Sequence, residues 1–494
     1  MSLHLYNTLS GAVEEFRPLR GNEVRMYACG PTVYDYGHIG NFRTFVAVDL
    51  LNRFLRQSGY HVDYVMNITD VDDKIIRNAA RDGVSVQQYT EQYDKAFQED
   101  SALLNIRAPE AMPHATDYID AMAKFVTDLE SKGYAYRTED GSYYFRIAKF
   151  AGYGKLSKRD FAGMTDGARV DVDEYEKDSA RDFALWKAPK PGEAFWETSI
   201  GPGRPGWHLE CSVMSMAALG ETLDVHAGGE DLAFPHHENE IAQSEAMTGK
   251  PFSRFWMHAR FLLVEGEKMS KSLGNFYTPR DLMLKGYKPS SIRYLLTSVP
   301  YRSQLNFTFS GLQSAAASVE RLRTFRQRLM DGKFPGGEDA EMTKLAAETS
   351  ARMKSALDDD LNTAQAQAAI FEMVRAANIA MDGGQMRAGN VAGFLKVLTE
   401  FDEIFAVLQD DDAGKMLSIV EWAKASGRSD ISAEALAAAG SSGPTDQEVA
   451  GKVALMEQAR KTKNFAESDR LRAELLAAGI AVEITKDGVR WKRK

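Results

Sequence analysis

The stretch EVRMYACGPTVYDYGHIGNFRTFVAVDLLNRFLRQSGYHVDYVMNIT, from Glu23 to Thr69, decides the fold of this chain. Its first part, residues 23–29, alternates polar and apolar side chains, which predicts a β-strand. Apolar residues then recur at helical spacing from Phe42 to Gly59, and residues 61–69 again have the pattern of a strand. Such a β-loop-α-β unit predicts a parallel sheet of the Rossmann type. The Gly-x-Gly-x-x-Gly fingerprint is missing, so no nicotinamide cofactor is implied.

The composition of the whole chain is that of an ordinary globular protein. Hydrophobic residues make up 44% and charged residues 26% of the 494 residues, a length that suggests about three domains. No apolar run approaches the roughly 18 residues that a membrane helix needs, and the N-terminus lacks a secretory signal pattern. Two cysteines exclude a disulfide framework. We therefore expect a cytoplasmic protein without membrane contact.

Changes of pattern along the chain indicate further parts around this sheet. A region rich in aromatic and charged residues separates the first unit from residues 221–232, where a strand pattern returns. Residues 310–408 have helical periodicity, and the small, polar residues 435–447 are typical of a flexible linker. The last segment, from Asp446, predicts two helices and a hairpin that turns at Asp487-Gly488. It has eleven Lys or Arg and eight Asp or Glu, a net charge of +3, whereas the whole chain carries −10.

These patterns predict an α/β protein: a Rossmann-type parallel-sheet domain with an insertion, then an α-helical bundle and a small mixed C-terminal module. The expected parts are the first half of the Rossmann-type domain (1–115), a connective insertion (116–203), the second half of the Rossmann-type domain (204–265), a lysine-containing loop with the region after it (266–310), the helical bundle (311–410), a linker region (411–445) and the C-terminal module (446–494).

Two short motifs have the features of a nucleotide site. Gly37-His38-Ile39-Gly40-Asn41 comes just before the first helix, where unpaired N–H groups and the helix dipole favour a phosphate. KMSKSLGN, residues 268–275, places Lys268 and Lys271 in a cationic loop suited to the charge of a polyphosphate. Each motif alone is more often a helix cap or a solvated turn. Their occurrence in one chain is far more specific.

A possible metal site is spread over three segments. In FPHHENE, residues 234–240, His236 and Glu240 are four apart and share one helical face, whereas His237 and Glu238 are expected to point elsewhere. With Cys29 and Cys211 as thiolates, the set provides four ligands for Zn²⁺. The alternative is two buried free cysteines and a helix N-terminus lined with salt bridges.

Several motifs together resemble the class I cysteinyl-tRNA synthetases, from about Tyr6 to the C-terminus. They are HIGN, KMSKS, RPGWHLECS (204–212), FPHHENEIAQSEA (234–246), NITDVDDKII (67–76), DFALWK (182–187) and DDDLNT (358–363). The chain departs from this family at Asn41, where members often have a histidine.

The resemblance implies roles for individual residues. Its catalytic residues would be His38, Lys268 and Lys271. The ATP-binding residues would be Gly37, His38, Gly40, Asn41, Gly229, Asp231, Lys268 and Lys271. The zinc ligands would be Cys29, Cys211, His236 and Glu240, and the cysteine pocket would include Thr69 and Trp207. The Rossmann-type domain would be the catalytic domain, region 266–310 the KMSKS loop with the stem-contact region, and 446–494 the anticodon-binding module.

The implied reaction has two steps. The carboxylate of L-cysteine attacks the α-phosphorus of ATP, which is bound with Mg²⁺, and gives cysteinyl-adenylate and pyrophosphate. The acyl group then passes to the 2′-hydroxyl of the terminal adenosine of tRNA(Cys). One zinc ion per chain would bind the substrate thiolate and so reject serine. A pocket that recognises shape alone would distinguish cysteine from serine by only about one to three kcal/mol.

Two other functions are compatible with parts of this pattern. An ATP-dependent cysteine:amino-sugar ligase of mycothiol synthesis would share the zinc site and the nucleotide loops, but it needs no anticodon module. The basic C-terminal segment, with Trp491 among four Lys or Arg residues, argues against that reading. A non-catalytic zinc protein that binds RNA or senses redox state would have little use for His38, Lys268 and Lys271.

Overall fold

The computed structural model describes residues 2–158, 182–439, 446–462, 464–477, 480–485 and 488–493. The strands are β1 (His4–Asn7), β2 (Ala12–Glu15), β3 (Glu23–Ala28), β4 (His61–Met66), β5 (Ala135–Arg137), β6 (Tyr143–Phe145), β7 (Phe183–Lys187), β8 (Arg204–Pro205), β9 (Leu223–Gly229), β10 (Ser253–Ala259), β11 (Leu262–Val264), β12 (Glu267–Lys268), β13 (Leu305–Phe307), β14 (Ile480–Thr485) and β15 (Gly488–Arg493).

The α-helices follow the same chain order. They are α1 (Ile39–Gln57), α2 (Asp73–Asp82), α3 (Val86–Leu103), α4 (Ile119–Ser131), α5 (Trp207–Leu219), α6 (His236–Thr248), α7 (Pro279–Leu284), α8 (Pro289–Leu296), α9 (Phe309–Asp331), α10 (Ala340–Asp358), α11 (Thr363–Asp382), α12 (Ala388–Phe405), α13 (Asp412–Ala425), α14 (Ala433–Ala439), α15 (Asp446–Lys461) and α16 (Phe465–Ala477).

A parallel sheet in the order β10-β9-β3-β4 forms the centre of the molecule. Met26 of β3 pairs with Val225 of β9 on one side and with Tyr64 of β4 on the other. Strand β3 runs through α1 into its neighbour β4, so the predicted β-loop-α-β unit is present and the Rossmann-type prediction is confirmed. The carboxyl ends of these strands lie at one edge of the sheet, where ligands bind in folds of this type.

An antiparallel sheet interrupts the parallel one between β4 and β9. Its strand order is β5-β6-β7-β8, and α4 packs against it over a separate hydrophobic core. Strand β8 belongs to this sheet, because Pro205 pairs with Trp186, so the sheet continues just past the insertion boundary expected at residue 203. Residues 159–181 of the expected insertion lie outside the described residues.

The helical part begins with α8 and α9. A buried ion pair joins it to α1, which packs on the central sheet, since Arg293 of α8 lies 2.5 Å from Asp49 of α1. Helices α9 to α12 correspond to the helical periodicity of residues 310–408.

The linker expected at 411–445 is not what the structure shows for residues 412–439. They form α13 and α14, and Met416, Val420 and Ala435 are buried in the main core. Ala423 and Ala439 are buried in the same core, so this part of the chain packs on the rest of the molecule. Residues 440–445 lie outside the described part.

The C-terminal segment forms a small unit of two helices and a hairpin. Helices α15 and α16 pack on β14 and β15, which pair antiparallel with Val482 opposite Trp491. Val449, Met456 and Leu475 are among the buried residues of a core of its own, and Trp491 is half-buried against that core. The predicted turn residue Asp487 lies outside the described residues. Among the described residues, no helix has the length and apolar character needed to cross a membrane.

Candidate active site

The loop between β3 and α1 ends in a histidine that caps the helix. The ring of His38 accepts a hydrogen bond at Nδ1 from the N–H of Asn41 (3.2 Å), and Oδ1 of Asn41 accepts one from the N–H of His38 (3.0 Å). This reciprocal capping makes α1 begin at Ile39, three residues before the apolar pattern begins. Asn41 therefore holds His38 in place.

The environment of His38 decides which proton it carries. Burial, helped by the charge of Lys271, lowers the pKa of His38 to about 4, so the ring is neutral at pH 7. Because Nδ1 accepts a hydrogen bond, the single ring proton lies on Nε2. Within the described part of the chain Nε2 has no hydrogen-bond partner, so it is available as a donor at the N-terminus of α1.

The loop that carries both lysines lies directly against this turn. A Cβ on Gly40 would lie 2.9 Å from two ring atoms of His38 and 3.1 Å from Cε of Met269, so only glycine fits here. Phe276 packs edge-on against the His38 ring, with the two ring centroids 4.9 Å apart. Lys268, at the end of β12, is exposed, and Lys271 reaches back to Asp35 in the loop before α1.

The glycine-rich end of β9 also lies beside α1. A Cβ on Gly229 would come within 2.5 Å of Oδ1 of Asp231 and 3.6 Å of the hydroxyl of Thr44. Gly229 thus lets the Asp231 carboxylate approach the backbone next to α1. The predicted nucleotide residues of three separate segments are therefore neighbours.

The four side chains expected to bind zinc form one buried cluster. Cys29 follows β3, Cys211 lies in α5, and His236 and Glu240 are one turn apart on α6. The sulfur of Cys29 lies 3.6 Å from that of Cys211 and 3.6 Å from Oε1 of Glu240. Nε2 of His236 lies 2.9 Å from the same oxygen. Since the four ligand atoms all lie within 4.8 Å of one another, a single ion can contact all of them.

Charge inside this cluster favours ionised ligands. A hydrogen bond from the Cys29 thiol lowers the pKa of Cys211 to about 6, and burial raises the pKa of Cys29. Burial opposes a charged His236, but the Glu240 carboxylate and the Cys211 sulfur raise its pKa to about 10. Burial also opposes ionisation of Glu240, yet the neighbouring histidines lower its pKa to about 2. The cluster therefore holds a thiolate and a carboxylate beside an imidazolium whose proton a divalent cation would displace.

The expectation that His237 points away from this cluster is wrong. Its Nε2 lies 3.3 Å from the sulfur of Cys29, and Nδ1 lies 2.8 Å from Nε2 of His258. Nε2 of His226, from β9, lies 2.8 Å from the second oxygen of Glu240. Side chains of β9 and β10 surround the first turn of α6, since His226 contacts Glu240 and His258 contacts His237. The adjacent residues His236 and His237 therefore both face the cluster. Glu238 does point elsewhere and accepts hydrogen bonds from backbone N–H groups near Gly154.

The donor chemistry fits zinc better than a hard cation. Cys29, Cys211, His236 and Glu240 offer two sulfurs, one imidazole and one carboxylate, which are ligand types that Zn²⁺ accepts in tetrahedral sites. A second set, in which His226 and His237 replace Cys211 and His236, shares Cys29 and Glu240 and so competes for the same ion. The set with two sulfurs is the softer of the two and is the one we assign to zinc.

Thr69 and Trp207, the two residues expected in the cysteine pocket, both adjoin the metal cluster. Asn67 connects Thr69 to the loop that carries Cys29. Its Nδ2 donates to the hydroxyl of Thr69 (3.0 Å), and its Oδ1 accepts from the N–H of Gly30 (2.9 Å). The same Oδ1 lies 3.6 Å from the sulfur of Cys211. Trp207 is the first residue of α5, and the centroid of its ring lies 4.2 Å from that of His236. The residue is 38% exposed.

Comparison with known proteins identifies the family. A family model described as the catalytic domain of class I (C) tRNA synthetases matches residues 15–317, and a DALR domain model matches residues 352–409. The chain is 64% identical over 495 residues to the cysteine–tRNA ligase of Koribacter versatilis, and 55% identical over 494 residues to that of Solibacter usitatus. Both matches cover 100% of each chain. The chain belongs to the cysteine–tRNA ligase family.

Solved structures agree with the fold of this family. Methionyl-tRNA synthetase of Mycobacterium tuberculosis, in complex with methionyl-adenylate, superimposes with a TM-score of 0.57 over 82% of this chain and 93% of that one. The two sequences are 17% identical, so the likeness is one of fold. The prediction of a class I synthetase fold is therefore confirmed.

Sequence reasoning missed some side chains around the site of this cysteine–tRNA ligase family member. His226 and His237 line the metal cluster, and Asp35 binds Lys271. Adjacent histidines at a helix start offered a signal for His237. His226 and Asp35 had no comparable signal, because their partners lie 14 and 236 residues away in the sequence.

Proposed function

We propose that this protein attaches L-cysteine to tRNA(Cys) in two steps, through cysteinyl-adenylate, with ATP and Mg²⁺ as the energy source. One observation carries the proposal: Cys29, which belongs to the buried cluster with Cys211, His236 and Glu240, lies in the same β3–α1 loop as the capped His38. A site selective for a soft side chain and a site for phosphate thus adjoin each other. Membership of the cysteine–tRNA ligase family supports the same reaction.

In the activation step, the chain's own residues position and neutralise the phosphates. The Nε2–H of His38 donates to a phosphate oxygen at the N-terminus of α1, where the helix dipole also favours negative charge. Lys268 and Lys271 offset the charge that develops on the leaving pyrophosphate. Asp231, brought close to the backbone by Gly229, contacts the ribose. No side chain acts as a nucleophile, because the carboxylate of the substrate attacks the phosphorus itself.

Selection of cysteine is assigned to the metal cluster and its surroundings. Cys29, Cys211, His236 and Glu240 would hold the zinc ion, which would supply a soft centre with a preference for the substrate's thiolate over a hydroxyl. Thr69 and Trp207 form the walls of the pocket. His208 keeps Nε2 of His236 directed at the cluster, since its Nδ1 lies 2.9 Å from Nδ1 of that ring.

The acyl-transfer step requires recognition of a tRNA, which we assign to the C-terminal half. The DALR match lies in the helical part, and residues 446–494 carry the positive net charge that RNA attracts. The amino-sugar ligase alternative has no support, because the relatives reported above are cysteine–tRNA ligases and match this chain over its full length, including the C-terminal module.

Charging of a total tRNA pool with labelled cysteine, in parallel with serine, tests the proposal. We expect cysteine to be attached in the presence of ATP and Mg²⁺, and serine to be refused. Cysteine-dependent exchange of pyrophosphate into ATP, measured alongside, distinguishes an enzyme from a non-catalytic zinc protein. Exchange without charging of any tRNA would contradict the proposed acceptor and leave a small-molecule acceptor to be tested.

A further inference from the structure

The second lysine of the KMSKS loop makes an ion pair with a carboxylate that the sequence analysis did not single out. Nζ of Lys271 lies 2.5 Å from Oδ2 of Asp35, and it also lies over the ring of Phe276, 5.1 Å from its centroid. Asn275 holds the loop in this shape, because its Oδ1 accepts from the N–H of Ser270 at 2.8 Å. Lys271 is thus directed onto the loop that precedes α1.

Asp35 is arranged to receive this lysine. Its other carboxylate oxygen, Oδ1, accepts a hydrogen bond from the N–H of Tyr36 at 2.8 Å, which orients the group. It lies three residues before His38, in the loop to which we assign the ATP phosphates. Asp35 and Lys271 both line a cleft of about 330 Å³ beside Trp422 of α13, so a solute can reach the pair.

The ion pair between Lys271 and Asp35 is exposed enough for Lys271 to exchange Asp35 for another anionic partner. The side chain of Lys271 is 66% exposed and that of Asp35 is 35% exposed, so water weakens their attraction. Nζ of Lys271 and the ring of His38 lie 5.1 and 4.9 Å from the centroid of the Phe276 ring, so the lysine is close to the proposed phosphate site. In agreement with this, the charge of Lys271 adds to burial, the main cause, in lowering the pKa of His38. While the pair persists, however, a carboxylate neutralises the charge that a triphosphate needs.

We infer that Asp35 is a positioning residue, which holds Lys271 while no nucleotide is bound and releases it to the triphosphate when ATP enters. The inference rests on the proposed function, in which Lys271 contacts the phosphates. ATP binding then replaces one anionic partner of the lysine by another, so the free energy of breaking the pair is subtracted from the affinity for ATP. In return, the pair keeps the KMSKS loop beside α1 before ATP arrives.

The substitution Asp35→Asn tests this, because asparagine keeps the oxygen that accepts from Tyr36 and loses only the charge. Equilibrium dialysis should show the Kd for ATP falling about two- to fivefold, the range expected for loss of an exposed ion pair. The KM for ATP in pyrophosphate exchange should fall in parallel, with a smaller change in kcat. Asp128→Asn, which removes a similarly exposed carboxylate 2.6 Å from Lys124 on α4, should leave the Kd unchanged. An unchanged or increased Kd in Asp35→Asn would overturn the inference.

A second variant separates competition for the lysine from direct repulsion of ATP by the carboxylate. In a Lys271→Met background, Asp35→Asn should have no further effect on ATP binding. The same decrease in Kd in that background would mean that Asp35 acts on ATP directly, which contradicts the inference. If Lys271→Met itself changed neither ATP binding nor exchange, the proposed role of Lys271 would fail and the inference with it. Failure to charge tRNA would contradict the proposed function alone, since dialysis needs no turnover.

Discussion

Gly40 and Cys211 illustrate how single atoms set the geometry of this site. At Gly40, the absence of a Cβ lets the His38 ring and the Met269 methyl meet above the first turn of α1. At Cys211, one sulfur both accepts a hydrogen bond from Cys29 and completes the donor set with His236 and Glu240. Each residue contacts parts of the chain that are far apart in sequence. Because each role depends on a single atom, a substitution that changes one atom or one methyl group tests it.

Gly40→Ala should impair activation of cysteine. The added methyl would lie 2.9 Å from the His38 ring, which must turn away and give up its hydrogen bond from Asn41. We expect kcat/KM for ATP in pyrophosphate exchange to fall about 10- to 100-fold, the cost of displacing a positioned group by about 1 Å. Gly336→Ala is the matched control, because a Cβ there meets no atom within 4 Å. Equal activity of both variants would show that the two loops tolerate the methyl group.

Cys211→Ser should remove zinc and cysteine activation together. Serine keeps the shape of the side chain but replaces a soft donor by a weak hydroxyl ligand, so the zinc affinity should fall by more than about 100-fold, the upper range for an outer-shell partner. Metal analysis after dialysis against a chelator measures the loss, and pyrophosphate exchange measures its effect. Ser215→Ala, one turn further along α5, should keep its zinc. Full zinc retention in Cys211→Ser would refute our ligand set.

Among the elements, the segment before α4 is tied to α3 by an ion pair that depends on pH. Nε2 of His114 lies 2.9 Å from Oδ2 of Asp94, and this hydrogen bond raises the pKa of His114 above 6.5 although burial opposes it. His114 also pairs with Ile68, which follows β4 and precedes Thr69, a residue that we assign to the cysteine pocket. The pair thus connects an outer helix to the edge of the central sheet.

The Asp94–His114 pair predicts a stability difference that declines as pH rises. A histidine whose folded pKa is raised contributes fully below about pH 6.5 and loses its contribution as pH rises through the folded value. The thermal midpoint of the wild type should therefore exceed that of Asp94→Asn most at about pH 6 and least at about pH 8. Asp128→Asn is the control, because its partner Lys124 does not titrate in this range. A difference that stays constant with pH would contradict an ion pair at His114.

On the scale of the whole molecule, the C-terminal module has a core separate from those of the catalytic and helical parts. The described residues of that core lie between Val449 and Trp491. The chain that leads into it, α13 and α14, is by contrast packed into the main core. The boundary between the C-terminal module and the rest of the chain therefore falls after α14.

A chain that ends at Ala439 should activate cysteine but charge tRNA poorly. Truncation after Ala439 leaves the main core intact, so the rate of pyrophosphate exchange should stay within about twofold of that of the full chain. The kcat/KM for tRNA should fall at least about tenfold, because the basic residues of the C-terminal module no longer contact the tRNA. Exchange and charging, measured on one preparation, give both values. If charging were unaffected, the C-terminal module would not be the part that reads the tRNA.

The sequence by itself determined the elements whose side-chain periodicity is local. The strand and helix of residues 23–59 follow from alternation and helical spacing, and the motifs around His38, Lys271 and His236 follow from residue types within a few positions. The resemblance built on them predicted the family correctly. Local signals sufficed because each depends on neighbours along the chain.

Only the tertiary structure decided which groups meet. His237 faces the metal cluster because strands enclose the helix end, and Asp35 meets Lys271 because two loops 236 residues apart fold together. Residues 411–445 are expected from the sequence to be a linker region, yet residues 412–439 form two helices whose apolar side chains, among them Met416 and Val420, pack into the main core. Burial and long-range electrostatics depend on the packed arrangement of all elements, and no window of sequence contains that arrangement.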